Sequence, residues 1–432
     1  MMRVWISLAL GLMTFSAETL AAPKLIRGPY LQSATTNSMV IRWRTENPAK
    51  GMVRYGLTAA TATNLTSHAG KLTEHIVLLR GLKPATRYFY SVGAETNVWL
   101  SPVTNTMTFV TPPPVGPAKP TRIWVIGDPG TANANQRAVR DAFYRWNHAE
   151  VPDLWLMLGD NAYDSGTDAE YQAGVFQIYS WLLANSPLWP TLGNHDARSA
   201  NSGTQSGIYY DIFTLPTLGQ AGGLPSGTEA YYSFDYANIH FICLDSEDTD
   251  RSKGGMMAEW LRDDLASTAR DWIVCFFHHP PYTKGSHDSD KKDDSGGRMV
   301  EMRENILPIL EQGGVDLVLT GHSHSYERSY LLDGHYGSST NISATNFKDR
   351  GDGRPDGSGP YRKSSGTKPH EGAVYVVAGS AGQRSGGKLN HPVNYLSLNR
   401  LGSVVLDIDG PELNLKFITE KAQLRDYFTI RK

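Results

Sequence analysis

Two cysteines in 432 residues, Cys243 and Cys275, exclude a disulfide-framed scaffold and a thiolate metal cage. Both fall in apolar, strand-like runs, IHFICLDS and WIVCFFHH, where a buried free thiol is the ordinary outcome. An excess of one charge is also missing. The 41 basic residues stand against 43 acidic ones, so a polybasic nucleic-acid or membrane binder is not expected, and partner selectivity must be local. No stretch reaches the ~20 apolar residues that span a bilayer. The nearest is the N-terminal MMRVWISLALGLMTFSAETLAAPK. It has an early arginine, about twelve apolar residues from Val4 to Phe15, and small residues at Ala21 and Ala22, the pattern of a cleaved signal peptide over residues 1–22. The mature chain is therefore expected to be secreted or periplasmic, with no stable membrane span.

What the chain has is length and a 40% hydrophobic content, enough to bury the cores of two domains. From residue 23 to 111 the runs SMVIRWRT, GMVRYG, EHIVLLRGL, RYFYSVGA and MTFVT are short, β-rich and separated by turn residues, without an amphipathic helix. An all-β sandwich is expected there. Its GLKPATRYFYSVG resembles the corner of fibronectin type III domains in which a tyrosine hydroxyl ties back to the backbone. Residues 112–120, within TPPPVGPAKP, read as a stiff linker.

Residues 121–432 read as one α/β domain. The apolar runs RIWVIGD, DLWLMLGD, PLWPTLGNHD, IHFICLDS, WIVCFFHH and VDLVLTGHSH suit strands covered on both faces. Between several of them stand the helical periodicities NQRAVRDAFYRWN, MMAEWLRDDL and MVEMRENILPILEQ. The Gly-, Ser- and charge-rich stretch 334–371 reads as a long surface loop.

Polar residues collect where those strands end: Asp128, Asp160, Asn194 with His195, His278, and His322 with His324. Each alone has an ordinary explanation, a turn or helix cap for an aspartate and a satisfied hydrogen-bonding group for a histidine. Carboxylate, amide and imidazole groups at five strand ends together are what a metal site needs, and open α/β sheets assemble ligand sites at that edge. In GHSHSYER a nucleophilic serine would need glycine on both sides, as GxSxG, yet Ser325 takes the last position and Ser323 reads as a spacer. Extended backbone sets His322 and His324 on the same side.

At this point the chain resembles the metallophosphoesterases, and within them the two-domain, plant-like purple acid phosphatases. The family blocks appear in order as GDPG, GDNAYD, GNHD, FFHHPPY and GHSHSYER, and RGPYLQSATTNSMVIRWRT resembles the start of the family's N-terminal fibronectin-like domain. The resemblance implies an α/β/β/α catalytic sandwich and two adjacent metals. Asp128, Asp160, Tyr163 and His324 would hold one, and Asp160, Asn194, His278 and His322 the other, with Asp160 bridging. His-x-Pro-x-Tyr selects His278 as ligand, leaving His279 behind the ligands or in the pocket wall.

A tyrosine binds well only as phenolate, and its ordinary pKa near 10 calls for a strongly charged ion. Two carboxylates, a phenolate and a bridging hydroxide carry four negative charges, which a trivalent and a divalent ion together exceed by one, leaving attraction for phosphate. Ferric iron at the tyrosine site and zinc, manganese or ferrous iron at the other are the implied cofactors. Hydrolysis of small phosphomonoesters by a metal-bound hydroxide is the implied reaction, with His195 and His287 as proton donors or phosphate contacts. The alternatives are a phosphodiesterase with the same site, or an adhesion protein with a vestigial one.

Overall fold

The computed structural model describes residue 1 and residues 23–95, 98–101, 104 and 106–432. The apolar run read as a signal peptide lies outside the described residues. The first unit is a β-sandwich. Strands Leu25–Thr35, Ser38–Ala49 and Leu72–Arg80 form one sheet, and Asn64–Ser67, Gly51–Gly56, Arg87–Ala94 and Val98–Trp99 form the other, with Thr108–Val110 also paired to Arg87–Ala94. Alternation turns Met39, Ile41 and Trp43 inward against Tyr90 and Val92, all of them fully buried. The Tyr88 hydroxyl accepts the Lys83 amide at 2.9 Å, the corner that the sequence predicts.

Two mixed seven-stranded sheets build the second unit. The first runs in the order Leu188–Pro190, Leu154–Met157, Thr121–Ile126, Gly402–Asp409, Glu412–Thr419, Leu424–Arg431, Tyr361–Arg362. The second runs Tyr232–Tyr236, Ile239–Cys243, Trp272–Phe277, Leu317–Thr320, Val374–Ala378, Tyr326–Ser329, Asn394–Leu398. Period-two alternation divides the second sheet's side chains between two cores. Phe241, Val274, Phe276, Leu317 and Leu319 join the core shared with the first sheet. Ile242, Ile273, Cys275, Phe277 and Val318 pack with residues of helices Met256–Ser267 and Leu307–Gln312. Helix Ala134–Trp146 covers the first sheet, its Phe143 stacked on Trp124 with ring centroids 4.4 Å apart. The layers are therefore α/β/β/α. Cys243 and Cys275 belong to the two different cores, and both are free thiols.

Two readings change in detail. MVEMRENILPILEQ is not one continuous helix: α-helical Arg298–Glu301 passes through a π turn, Met302–Ile306, before Leu307–Gln312. Pro308 has no N–H and crowds the turn before it, which accounts for the break. The 334–371 stretch is more than loop. Its Phe347–Asp349 pairs with Leu331–Leu332, and Tyr361–Arg362 closes the edge of the first sheet beside Leu424–Arg431.

The parallel strands Thr121–Ile126, Leu154–Met157 and Leu188–Pro190 of one sheet, and Trp272–Phe277 and Leu317–Thr320 of the other, deliver their C-terminal ends to one place. There the polar residues converge.

Candidate metal centre

The turns that leave these strands are tight. Asp128, Asp160 and His322 adopt left-handed backbone angles, with φ of 55°, 51° and 64°, conformations that non-glycine residues hold only when their surroundings compel them. Two flanking glycines are needed for space. A Cβ on Gly193 would collide with the Asp160 amide and carboxylate, and one on Gly321 with Asp128 Oδ2.

Around the first half of the site, the Tyr163 hydroxyl lies 2.9 Å from Asp160 Oδ2, 3.2 Å from Asp128 Oδ1 and 3.2 Å from His324 Nε2. In the second half, Asn194 turns its carbonyl oxygen to His278 Nε2 at 3.0 Å and His322 Nδ1 at 2.9 Å, and those two ring nitrogens are 3.2 Å apart. Asp160 belongs to both halves, since its Oδ1 stands 3.4 Å from His278 Nε2. The far sides of the rings are anchored. His278 Nδ1 donates to the Leu158 carbonyl at 2.8 Å, and His324 Nδ1 meets Ser385 Oγ at 2.9 Å.

These donors fit a cation better than they fit one another. One phenolic proton cannot satisfy three acceptors, and His278, with its Nδ1 proton given to a carbonyl, offers only a lone pair at Nε2 when neutral. Asp128 and Asp160 are buried, and among the described residues neither is paired with a lysine or arginine, an arrangement that costs free energy unless positive charge is supplied. Burial first, then Asp160 and Asp128, push the Tyr163 phenol well above its ordinary pKa, so ionising it calls for a strong cation. Burial, then the neighbouring imidazoles of His279 and His278, hold His322 well below the usual range. It is neutral, as a ligand must be.

His195, His279 and His287 stand around this centre. The His195 backbone amide donates to Asp160 Oδ1 at 2.9 Å, and its Nδ1 donates to the Asp164 carbonyl at 2.6 Å. His279 has Nδ1 3.0 Å from Ser246 Oγ and Nε2 3.5 Å from Glu247, and one of its ring nitrogens lies within 4.8 Å of those of His278 and His322. His287 stacks on His322 at 3.9 Å between ring centroids and donates from Nδ1 to Asp294 at 2.8 Å.

Several groups here have no signal in the sequence reading: Ser295, whose Oγ lies 2.6 Å from His322 Nε2, Asp294, and Ser385. They come from polar loops whose spacing carries no period. Asp196 stands inside the quoted GNHD. It is fully buried, accepts the Gly193 and Asn161 amides and the Tyr171 hydroxyl, and is pushed up to about 7 by burial and then by Asp160. The Tyr326-Glu327-Arg328 triplet is architectural. Arg328 and Tyr326 both bind buried Asp426 of the C-terminal strand, and Glu327 accepts the Lys284 amide below the His287 loop.

Comparison with known proteins agrees with this architecture. Residues 121–326 match the calcineurin-like phosphoesterase family model, and residues 27–111 match the N-terminal domain of purple acid phosphatases. The chain belongs to the purple acid phosphatase family, in its two-domain, plant-like form. It is 28% identical over 292 residues to purple acid phosphatase 23 of Arabidopsis thaliana, covering 60% of this chain and 59% of that protein. Probable purple acid phosphatase 20 of the same plant is 27% identical, over 68% of this chain and 66% of its own length. The chain thus spans somewhat under two thirds of these relatives. Purple acid phosphatase PPD1 from yellow lupin (Lupinus luteus) seeds shares the fold at a TM-score of 0.67, with 19% identity over 95% of this chain and 74% of that one.

Proposed function

We propose that this protein is a secreted acid phosphatase that hydrolyses small phosphomonoesters at a dinuclear metal centre. The observation that carries the reading is the Tyr163 hydroxyl within 3.2 Å of Asp128, Asp160 and His324, next to the Asn194, His278 and His322 cluster that Asp160 also reaches. Asp128, Asp160, Tyr163 and His324 would hold ferric iron, and Asp160, Asn194, His278 and His322 a divalent ion such as zinc, manganese or ferrous iron. Oxygen donors suit the harder ion and the amide and imidazoles the softer. What such a pair supplies when bound is Lewis acidity toward the phosphoryl group and the attacking water.

The chain's own groups do the rest. Asp160 fixes the two halves of the site at one spacing. The Asp164 carbonyl fixes the His195 ring by accepting from Nδ1–H, and in the imidazolium form its Nε2–H would donate to a phosphoryl oxygen. Asp294 accepts a hydrogen bond from His287 Nδ1–H, which favours the imidazolium form, and the Nε2–H of that form would protonate the departing alkoxide oxygen and leave a neutral ring. His279 supports His322 from behind. Secretion accords with the N-terminal sequence. The test is metal analysis of the purified protein with monoester and diester assays across pH. Iron with one divalent ion and a monoester preference is expected, and a metal-replete protein inactive on both ester classes would overturn the reading.

A further inference from the structure

We infer that the β-sandwich domain is a positioning element of the active site, acting through the short helix Asp168–Tyr171. This rests on the proposed function for its catalytic consequence, but the coupling itself is a matter of contacts. The helix has three attachments. On the sandwich side, Asp168 is gripped from both carboxylate oxygens, by Arg27 Nη2 at 2.8 Å and Arg44 Nη1 at 2.6 Å, while Arg27 Nε also donates to Gln172 at 2.8 Å. Arg27 is buried and its guanidinium lies 4.4 Å from the ring centroid of Phe176. On the site side, Glu170 accepts the amides of Asp164, Ser165 and Thr167 at 2.6, 3.1 and 2.8 Å. That fixes the loop directly after Tyr163, whose Asp164 carbonyl in turn orients His195. The third attachment is Tyr171, whose hydroxyl donates at 2.6 Å to the Asp196 carboxylate holding the amides of Asn161 and Gly193, neighbours of Asp160 and Asn194.

A surface capping box needs none of this. Two arginines of the sandwich hold one carboxylate at the first residue of the helix whose Glu170 and Tyr171 hold the segments around Tyr163, His195, Asp160 and Asn194, which couples the sandwich to all four. Asp168, Glu170 and Tyr171 are positioning residues, not catalytic ones. A misplacement of about 1 Å at a reacting group can cost ~100-fold in rate, so a loosened helix is expected to lower kcat with little change in KM.

The experiment compares full-length wild type with Asp168→Asn, the double variant Arg27→Met with Arg44→Met, and Asp168→Glu. It measures turnover of the metal-loaded enzyme and amide exchange of the metal-free protein. In the first two variants, exchange at Asn161, Asp164, Ser165 and Gly193 should quicken about tenfold or more, as for a locally opened segment, while strands Ser38–Ala49 and Thr121–Ile126 keep wild-type protection. kcat should fall about tenfold at near-constant KM, and Asp168→Glu should restore both readouts. Unchanged exchange at those four amides, exchange that quickens equally in both domains, or a wild-type kcat in Asp168→Asn would each overturn the inference. The exchange arm decides the coupling even where the wild type turns over no phosphate ester, an outcome that counts against the proposed activity instead.

Discussion

Tyr163 and Asp160 share more than a hydrogen bond: the phenol oxygen lies 2.9 Å from an Asp160 oxygen that it meets together with Asp128 and His324, so one proton stands among three acceptors. A cation in place of that proton satisfies all four groups. The pair therefore links a visible property to the chemistry proposed for the site.

If the Tyr163 phenolate binds ferric iron, charge transfer from ligand to metal gives the oxidised protein a violet band. Tyr163→Phe should remove the band because no phenolate donor remains, while part of the activity survives on Asp128, Asp160 and His324. A visible spectrum with iron quantified in both proteins checks this. A colourless, iron-free wild type that still hydrolyses esters would refute ferric iron and leave the metal pair standing.

The two adjacent histidines separate cleanly. His278 points Nε2 at Asn194 and Asp160, whereas His279 hydrogen-bonds Ser246 and lies near Glu247. His278→Ala should lose one metal per chain and more than about a hundredfold of turnover, beyond the cost of removing a partner behind a ligand. His279→Ala should keep both metals and lose about tenfold to hundredfold, the usual range for such a partner. Metal content of the two variants decides, and a reversed pattern would shift the register by one residue.

Stability should depend on pH through a group outside the candidate metal centre. His240 is fully buried between Asp235 and Asp264, 2.8 Å from each. Burial alone would lower its pKa, but the two carboxylates outweigh burial and raise it to about 9. A raised pKa means that the folded state holds the proton more tightly than the unfolded one. The associated stability, about 3 kcal/mol at most, is then complete below pH ~6.5 and is lost as pH rises through about 9. Thermal unfolding between pH 6 and 10 should show Tm falling across that window, and His240→Gln should flatten the slope. An equal slope in the variant would assign it to other groups.

Much of this molecule is legible in its sequence because the polar residues that the structure brings together stand at strand ends. Asp128, Asp160, Asn194, His278 and His322 each follow an apolar run of the length a buried strand needs, and the tight turns after those runs fix where the side chains go. Tyr88 shows the same legibility in the sandwich, since its corner depends on local spacing alone. The break at Met302–Ile306 was hidden because hydrophobic period survives a π turn, though Pro308 was the available warning. Strands Gly402–Asp409 and Glu412–Thr419 alternate clearly in VVLDID and LNLKF, yet nothing local says that they complete the first sheet beside Thr121–Ile126. Ser295 and Asp294 belong to a glycine-rich loop whose position depends on Arg298 bonding to the Ser295 and Glu247 carbonyls, a long-range contact with no sequence period.

Asp160 tests the central claim most directly, because its Oδ2 meets the Tyr163 hydroxyl while its Oδ1 stands beside His278, so one carboxylate lies between the two proposed ligand sets. An amide cannot bridge two cations as a carboxylate does. Metal content and phosphomonoester turnover of Asp160→Asn, measured beside wild type, should show two metals per chain in the wild type, fewer of both kinds in the variant, and turnover lost by more than about a hundredfold. A variant that keeps two metals and normal turnover would contradict the account.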